Sequence, residues 1–241
     1  LEGANAMFPG INLTMEDVES SWAGVRPLIH EEGKSASEIS RKDEIFVSET
    51  GLISIAGGKL TGYRKMSERI VDLVAKKYQQ QYKQKFGPCT TDTIPLAGGH
   101  FRHYKDVEAY LEIVRGEIKT LGLDNYLADY LVANYGKQTD AILNYTKSFS
   151  GADALTNLTR AEFKFGVEQE LVVAPIDYYA RRSGRLFFDI QTIHATLDAI
   201  LEDCRDYFNW EDATVAQERK VVQQAVHEAS HFEHANATTS S

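Results

Sequence analysis

Residues 52–66 read Leu-Ile-Ser-Ile-Ala-Gly-Gly-Lys-Leu-Thr-Gly-Tyr-Arg-Lys-Met. The apolar, partly β-branched run from Leu52 to Ala56 predicts a strand that stops at Gly57-Gly58. Tyr63, Met66, Ile70, Leu73 and Val74 then recur three or four apart, which predicts a helix from Thr61 to Tyr82. A strand therefore ends in a glycine turn and a helix follows at once. Glycine permits positive φ and close approach of another group. The N–H groups and positive dipole end of a helix attract anions, and Lys59 adds a full charge at the same place. Two readings follow: an ordinary turn with a surface lysine, or a site for something anionic or electron-rich.

Before this stretch, Ile45 to Val47 reads as a second strand, with Ser48 to Gly51 as the turn between the two. Leu1 to Met7 reads as a short helix, followed by a Pro9-Gly10 turn and a helix start near Thr14, where Asp17 makes a loose capping box. Pro27 disfavours helix at Arg26, so residues 21–30 read as extended. Two strands do not make an independently stable sheet, so residues 1–85 read as the end of a larger domain. Phe86-Gly87-Pro88 and Pro95 to Gly99 mark a linker. Beyond it the periodicity is helical, over 104–121, 124–135, 138–148, 160–172, 177–183, 185–208 and 211–233, and residues 234–241 read as a disordered tail. The fold class is α+β, mostly α. About 145 residues of helix can bury a core of their own.

The net charge of −9 is unevenly placed. Residues 1–85 hold 12 basic and 12 acidic side chains, whereas the remainder holds 14 and 23. An acidic helical part repels phosphate and argues against nucleic acid as a partner. No apolar run approaches the ~18 residues of a membrane span, and the first residues lack the basic and apolar regions of a secretory leader. Cys89 and Cys204 stand apart and read as reduced thiols, which points to the cytoplasm. The chain begins with Leu, which suggests an internal piece or a processed chain.

Arg26, Arg41 and Lys59 each fall in or beside a predicted loop or strand end. Arginine there suits bidentate binding of phosphate or carboxylate, although most such residues are surface charge. His227-Glu228-Ala229-Ser230-His231 matches the H-E-x-x-H zinc pattern, with His234 a turn further on, but the segment is polar and so short a pattern recurs by chance. No metal site is assigned.

The segments Ser-Trp-Ala-Gly-Val-Arg-Pro-Leu (21–28), Ile-Ser-Arg (39–41), Gly-Leu-Ile-Ser-Ile-Ala-Gly-Gly-Lys-Leu-Thr-Gly-Tyr-Arg-Lys-Met (51–66) and Ala-Arg-Arg-Ser-Gly-Arg-Leu (180–186) occur in that order. Together they resemble the C-terminal part of the FAD-dependent glycerol-3-phosphate dehydrogenases and the related α-glycerophosphate oxidases. The resemblance implies that Arg26 and Arg41 bind glycerol 3-phosphate, largely through its phosphate. It places Gly57, Gly58, Lys59, Leu60 and Thr61 against the flavin of FAD, with Lys59 also near the substrate in a catalytic role. The implied reaction moves a hydride from C2 of the substrate to the flavin, giving dihydroxyacetone phosphate.

The chain departs from that family at Gly62, where threonine is usual, and at Ser183-Gly184. Only about ten residues separate Arg-Pro-Leu from Ile-Ser-Arg, which favours dehydrogenase over the oxidases that carry a longer insertion. No Gly-x-Gly-x-x-Gly occurs for the FAD pyrophosphate. The chain thus reads as a C-terminal fragment, inactive alone: a remnant of the flavoprotein α/β domain followed by an all-α domain from residue 86. Quinone or oxygen as electron acceptor, a homodimer, and peripheral contact of the parent with the inner face of a membrane stay open. The alternative reading makes the helical part a non-catalytic packing or interaction domain. Arg181, Arg182 and Arg185 are expected to form ion pairs with acidic neighbours.

Overall fold

The computed structural model describes residues 1–25 and 43–231. The chain divides into two compact units, one comprising residues 1–23 with 97–241 and the other residues 24–96. The boundary read at residue 86 falls inside the second unit. Phe86 packs its ring on Tyr78, with centroids 5.5 Å apart, so the Phe-Gly-Pro segment stays with the helix before it.

In the first unit, helix α1 (Glu2–Met7) is followed by a 3-10 turn at Met15–Asp17. Asp17 closes the expected capping box by accepting from the Thr14 N–H at 2.7 Å. The two strands of the second unit are β1 (Asp43–Val47) and β2 (Ile53–Gly57), antiparallel, with Ile45 opposite Ile55 and Asp43 opposite Gly57. A 3-10 turn at Leu60–Gly62 leads into α2 (Tyr63–Tyr82). Not one residue of α2 is buried, and Val71, Val74 and Tyr78 are exposed. The second unit therefore presents an amphipathic helix and a hairpin with little core of its own, as two strands alone dictate.

The helical unit continues with α3 (Tyr104–Thr120), α4 (Tyr126–Tyr135), α5 (Thr139–Thr146) and α6 (Ala154–Gln169). A π-helical turn at Asp177–Arg182, α7 (Arg185–Phe188), α8 (Ile190–Phe208) and α9 (Asp212–Ser230) complete it. One core forms where Tyr110, Val114 and Ile118 of α3 meet Leu127 and Leu131 of α4, Ile142 of α5, and Leu158 and Phe165 of α6. A second gathers Phe163 of α6 with Tyr178, Tyr179, Ile193, Leu197 and Ile200, and with Val215, Val222 and Val226 of α9. Helix α6 serves both cores. It starts six residues before the expected position because the Asp153 side chain caps it, accepting from the Thr156 N–H at 3.0 Å. The π turn, closed by a Ser183 N–H bond to the Tyr178 carbonyl at 2.9 Å, has no distinct sequence period and read as ordinary helix.

Two glycines are required by close approach. A Cβ on Gly98 would lie 2.2 Å from the Tyr135 carbonyl oxygen, and one on Gly136 would lie 2.3 Å from that of Gly98. The two segments touch backbone to backbone, and Lys137 N–H donates to the Gly98 carbonyl at 2.9 Å.

Between the two cores lies Glu162, with no exposed surface. Its carboxylate accepts from the hydroxyls of Tyr130 (2.5 Å), Tyr135 (2.8 Å) and Tyr178 (2.6 Å) and from the Arg185 guanidinium (3.0 Å). Arg185, itself buried, also donates to Asp189 at 2.5 Å. Burial first, and then the charge of Glu162, pushes all three tyrosine hydroxyls well above their ordinary range. They are therefore donors wherever the protein is folded.

This gives the pH dependence a sign. An unfolded tyrosine releases its proton near pH ~10, whereas these three keep theirs in the folded chain. The stability they contribute is fully present below that pH and is lost as pH rises above it, at about 1.4 kcal/mol per pH unit for each tyrosine. Urea unfolding between pH ~9 and ~11 is expected to show a steep loss of stability. Tyr135→Phe is expected to make that loss shallower by up to about 1.4 kcal/mol per pH unit, the share of the one titrating group removed.

Candidate functional site

The strand–turn–helix junction forms as the sequence predicts, with one extra element. Gly57 and Gly58 both take left-handed backbone, φ 80° and 75°. The chain then extends at Lys59 (φ −107°, ψ 147°) before the 3-10 turn, which closes with a Gly62 N–H bond to the Lys59 carbonyl at 2.8 Å. The α-helix thus begins at Tyr63 rather than Thr61. The first N–H groups of the turn, on Leu60 and Thr61, have no acceptor within it by helix geometry. Lys59, Leu60 and Thr61 are exposed.

Packing explains Gly58 without any ligand. A Cβ there would meet Met66 Sδ at 3.0 Å and Asp43 Cβ at 3.3 Å, so α2 lies against the turn at this point. Gly62 is different: its φ is −87° and its nearest neighbour to a Cβ is Met66 Sδ at 3.9 Å. A side chain, including the threonine usual in the resembled family, fits there without strain.

Around the junction the charges are internally matched. Arg69 of α2 reaches back to Asp43 of β1. Arg64 and Lys65 both pair with Glu68, at 2.8 and 2.6 Å, and Arg64 also donates to Thr91 at 3.2 Å. An open groove of about 880 Å³ runs between α2 and residues 86–96, lined by Val71, Val74, Tyr78, Phe86, Ile94 and Leu96 among others. Cys89 is exposed beside it, with Sγ 3.0 Å from Thr91 Oγ1.

The structure therefore brings Gly57, Gly58, Lys59, Leu60 and Thr61 into one exposed turn. Arg26 and Arg41 lie outside the described residues, as does the expected tail from residue 234. Arg181, Arg182 and Arg185 are engaged structurally. Arg181 pairs with Asp177 at 2.8 Å, Arg182 donates to the Glu170 carbonyl at 2.9 and 2.6 Å, and Arg185 belongs to the buried cluster. Cys204 is a buried core thiol whose proton burial holds more tightly.

His227 and His231 share an exposed helix face with ring centroids 3.8 Å apart. Glu228 accepts from Gln224 at 2.8 Å, and among the described residues no three metal-ligating side chains converge. Among the described residues no helix is long and apolar enough to cross a membrane.

Against this geometry, the family described as the C-terminal domain of alpha-glycerophosphate oxidase matches residues 89–215. The chain belongs to that family. Most of the match falls in the helical unit, from residue 97 onward, and the glycine turn precedes it.

The aerobic glycerol-3-phosphate dehydrogenase of Bacillus subtilis (strain 168) is 40% identical over 232 residues, covering 95% of this chain and 42% of the relative. The protein of the same name from Staphylococcus aureus (strain USA300) is 40% identical over 232 residues, covering 96% and 42%. The crystal structure of the glycerol-3-phosphate dehydrogenase from Bacillus halodurans, complexed with FAD, matches with a TM-score of 0.77 at 38% identity, covering 97% of this chain and 45% of that one. The chain spans less than half the length of these relatives.

The contrast between the two glycines is testable by amide hydrogen exchange. Gly58→Ala forces a left-handed alanine against Met66 and is expected to speed exchange over residues 60–70 by about tenfold or more, the equivalent of the ~1–2 kcal/mol cost of that backbone state. Gly62→Ala is expected to leave the same amides unchanged.

Proposed function

We propose that this chain is the C-terminal part of a flavoenzyme that oxidises sn-glycerol 3-phosphate to dihydroxyacetone phosphate with reduction of FAD. The observation that carries the reading is the exposed Gly57–Thr61 turn, in a chain 38% identical to a dehydrogenase complexed with FAD. The turn fits one wall of a flavin site. Gly57 and Gly58 present no side chain, and the Leu60 and Thr61 N–H groups and the Lys59 ammonium are open at the same edge. The sequence contains no Gly-x-Gly-x-x-Gly, the strand–helix turn that holds the pyrophosphate in dinucleotide-binding folds. Residues 24–96 are accordingly a piece of the FAD- and substrate-binding domain, and the chain alone is inactive and holds no flavin.

Bound FAD would supply the hydride acceptor. The residues of this chain supply position and charge. Arg26 and Arg41 hold the dianionic phosphate, which fixes where C2 lies and replaces a bimolecular search by an oriented contact. The Lys59 ammonium, exposed at the edge of the glycine turn, would stabilise the negative charge that the hydride brings to the acceptor ring, and a preplaced cation there needs no reorganisation at the moment of transfer. The relatives' names and the short spacing between the Arg-Pro-Leu and Ile-Ser-Arg segments both favour a dehydrogenase over an oxidase.

The helical unit takes a supporting role, which a specific observation favours. The carboxylate of its buried cluster, Glu162, has its acceptor positions taken by three of its own tyrosines and Arg185, so it is not open to a substrate.

In the full-length protein, Lys59→Ala is expected to lower turnover with glycerol 3-phosphate by an order of magnitude or more, with flavin content unchanged. Steady-state kinetics on flavin-normalised enzyme decide this, and unchanged turnover would remove Lys59 from the mechanism.

A further inference from the structure

Two successive glycines make a soft joint. Glycine takes positive and negative φ about equally well, so Gly57 and Gly58 do not hold their left-handed backbone by themselves. Lys59 follows the joint directly, and its place is set by whatever holds the two glycines. Among the described residues three contacts do so, all within the unit of residues 24–96. Gly57, the last residue of β2, is paired with Asp43, the first of β1. Gly58 lies against α2, where a Cβ on it would stand 3.0 Å from Met66 Sδ and 3.3 Å from Asp43 Cβ. Arg69, three residues after Met66 and so on the same side of α2, forms an ion pair with Asp43. That pair ties the hairpin before the joint to the helix after it.

An ion pair whose partners are both partly exposed adds little to stability by itself. Its consequence here is geometric. With β2 held to α2 at its base, the segment 58–62 becomes a short closed loop, and closure removes most of the conformations open to Lys59. The neighbouring cations of α2 do not compete for Asp43, because Arg64 and Lys65 both pair with Glu68. The proposed function asks Lys59 for a charge that is already in place when the hydride arrives, and such a charge is effective only while it needs no reorganisation. We propose that Asp43 and Arg69 are positioning residues for Lys59: their ion pair is a latch that holds the Gly57–Gly58 joint closed. They act through the turn and not by their own charge on the flavin. The inference rests on the flavin-facing role proposed for Lys59.

The test measures the flavin midpoint potential and amide exchange in the full-length flavin-loaded protein. Asp43→Asn and Arg69→Gln are each expected to weaken flavin reduction about fivefold, equivalent to a fall of about 20 mV for two electrons. Direct action of the two charges on the flavin would move these variants in opposite directions, since one loses an anion and the other a cation. A latch moves both downward. Arg69→Lys, which keeps the pair, should restore most of the potential. The Gly62 and Tyr63 amides, which the turn itself bonds to the Lys59 and Leu60 carbonyls, should exchange about fivefold faster in Asp43→Asn and Arg69→Gln. In a Lys59→Ala background, adding Arg69→Gln should change the potential no further, because both act through one group. Opposite shifts, an unmoved potential with or without faster exchange, or effects of Lys59 and Arg69 that simply add would overturn the positioning role while the proposed function stands. If Lys59→Ala itself leaves potential and turnover unchanged, the role of Lys59 is overturned, and this inference with it.

Discussion

Glu162 is a carboxylate with no exposed surface, placed on the one helix that both cores share. Bringing a carboxylate and a guanidinium out of water costs several kcal/mol per ion, and attraction between them offsets this only if the remaining lone pairs are also filled. Here they are filled: three tyrosine hydroxyls and Arg185 converge on the two oxygens of Glu162, and Asp189 takes another face of the guanidinium. Tyr130 adds its ring beneath Arg185, 4.8 Å from the guanidinium carbon. The four donors come from three places in the chain: Tyr130 and Tyr135 from α4, Tyr178 from the π turn and Arg185 from α7. Removing one partner would strand the other's charge, at roughly 3–5 kcal/mol. Such a cluster tolerates one arrangement of helices, and that arrangement sets where α7 ends and where Phe187 and Phe188 stand.

Two kinds of structure share this chain. The helical unit is closed in on itself, its buried charges paired and two apolar cores built between its helices. The described part of the unit of residues 24–96 is the reverse: a two-stranded hairpin, a helix with no buried residue, and a glycine turn followed by the exposed Lys59, Leu60 and Thr61. Chemistry needs groups that are placed but unspent. Lys59, Leu60 and Thr61 meet that condition, whereas Arg181, Arg182 and Arg185 do not.

The mostly helical fold was legible because its signal is strong. Ile193, Leu197, Ile200 and Cys204 recur at helical spacing and bury together along α8. The glycine turn was legible too, since only a sharp strand-to-helix junction uses two successive glycines in that way. What failed to show has physical reasons. Glu162 sits between Arg160 and Lys164 and looks like one more charge on a solvated face, because nothing local reveals that α6 is buried on two sides. Asp153 as a cap was hidden by the Ser-Gly break just before it. The attachment of residues 1–23 to the helical unit is a contact over more than 160 positions and leaves no periodic trace. Arg26 and Arg41 stood out only as members of an ordered set of motifs.

The turn at Gly57–Thr61 is proposed as part of a flavin site that oxidises glycerol 3-phosphate. Anaerobic addition of glycerol 3-phosphate to the purified full-length protein, followed in the visible flavin absorbance band, tests it most directly, with this chain alone run beside it. The account predicts bleaching of the band in step with added substrate for the full-length protein, and no visible band for the chain alone. A full-length protein that carries no flavin, or whose flavin stays oxidised under excess substrate, would contradict it.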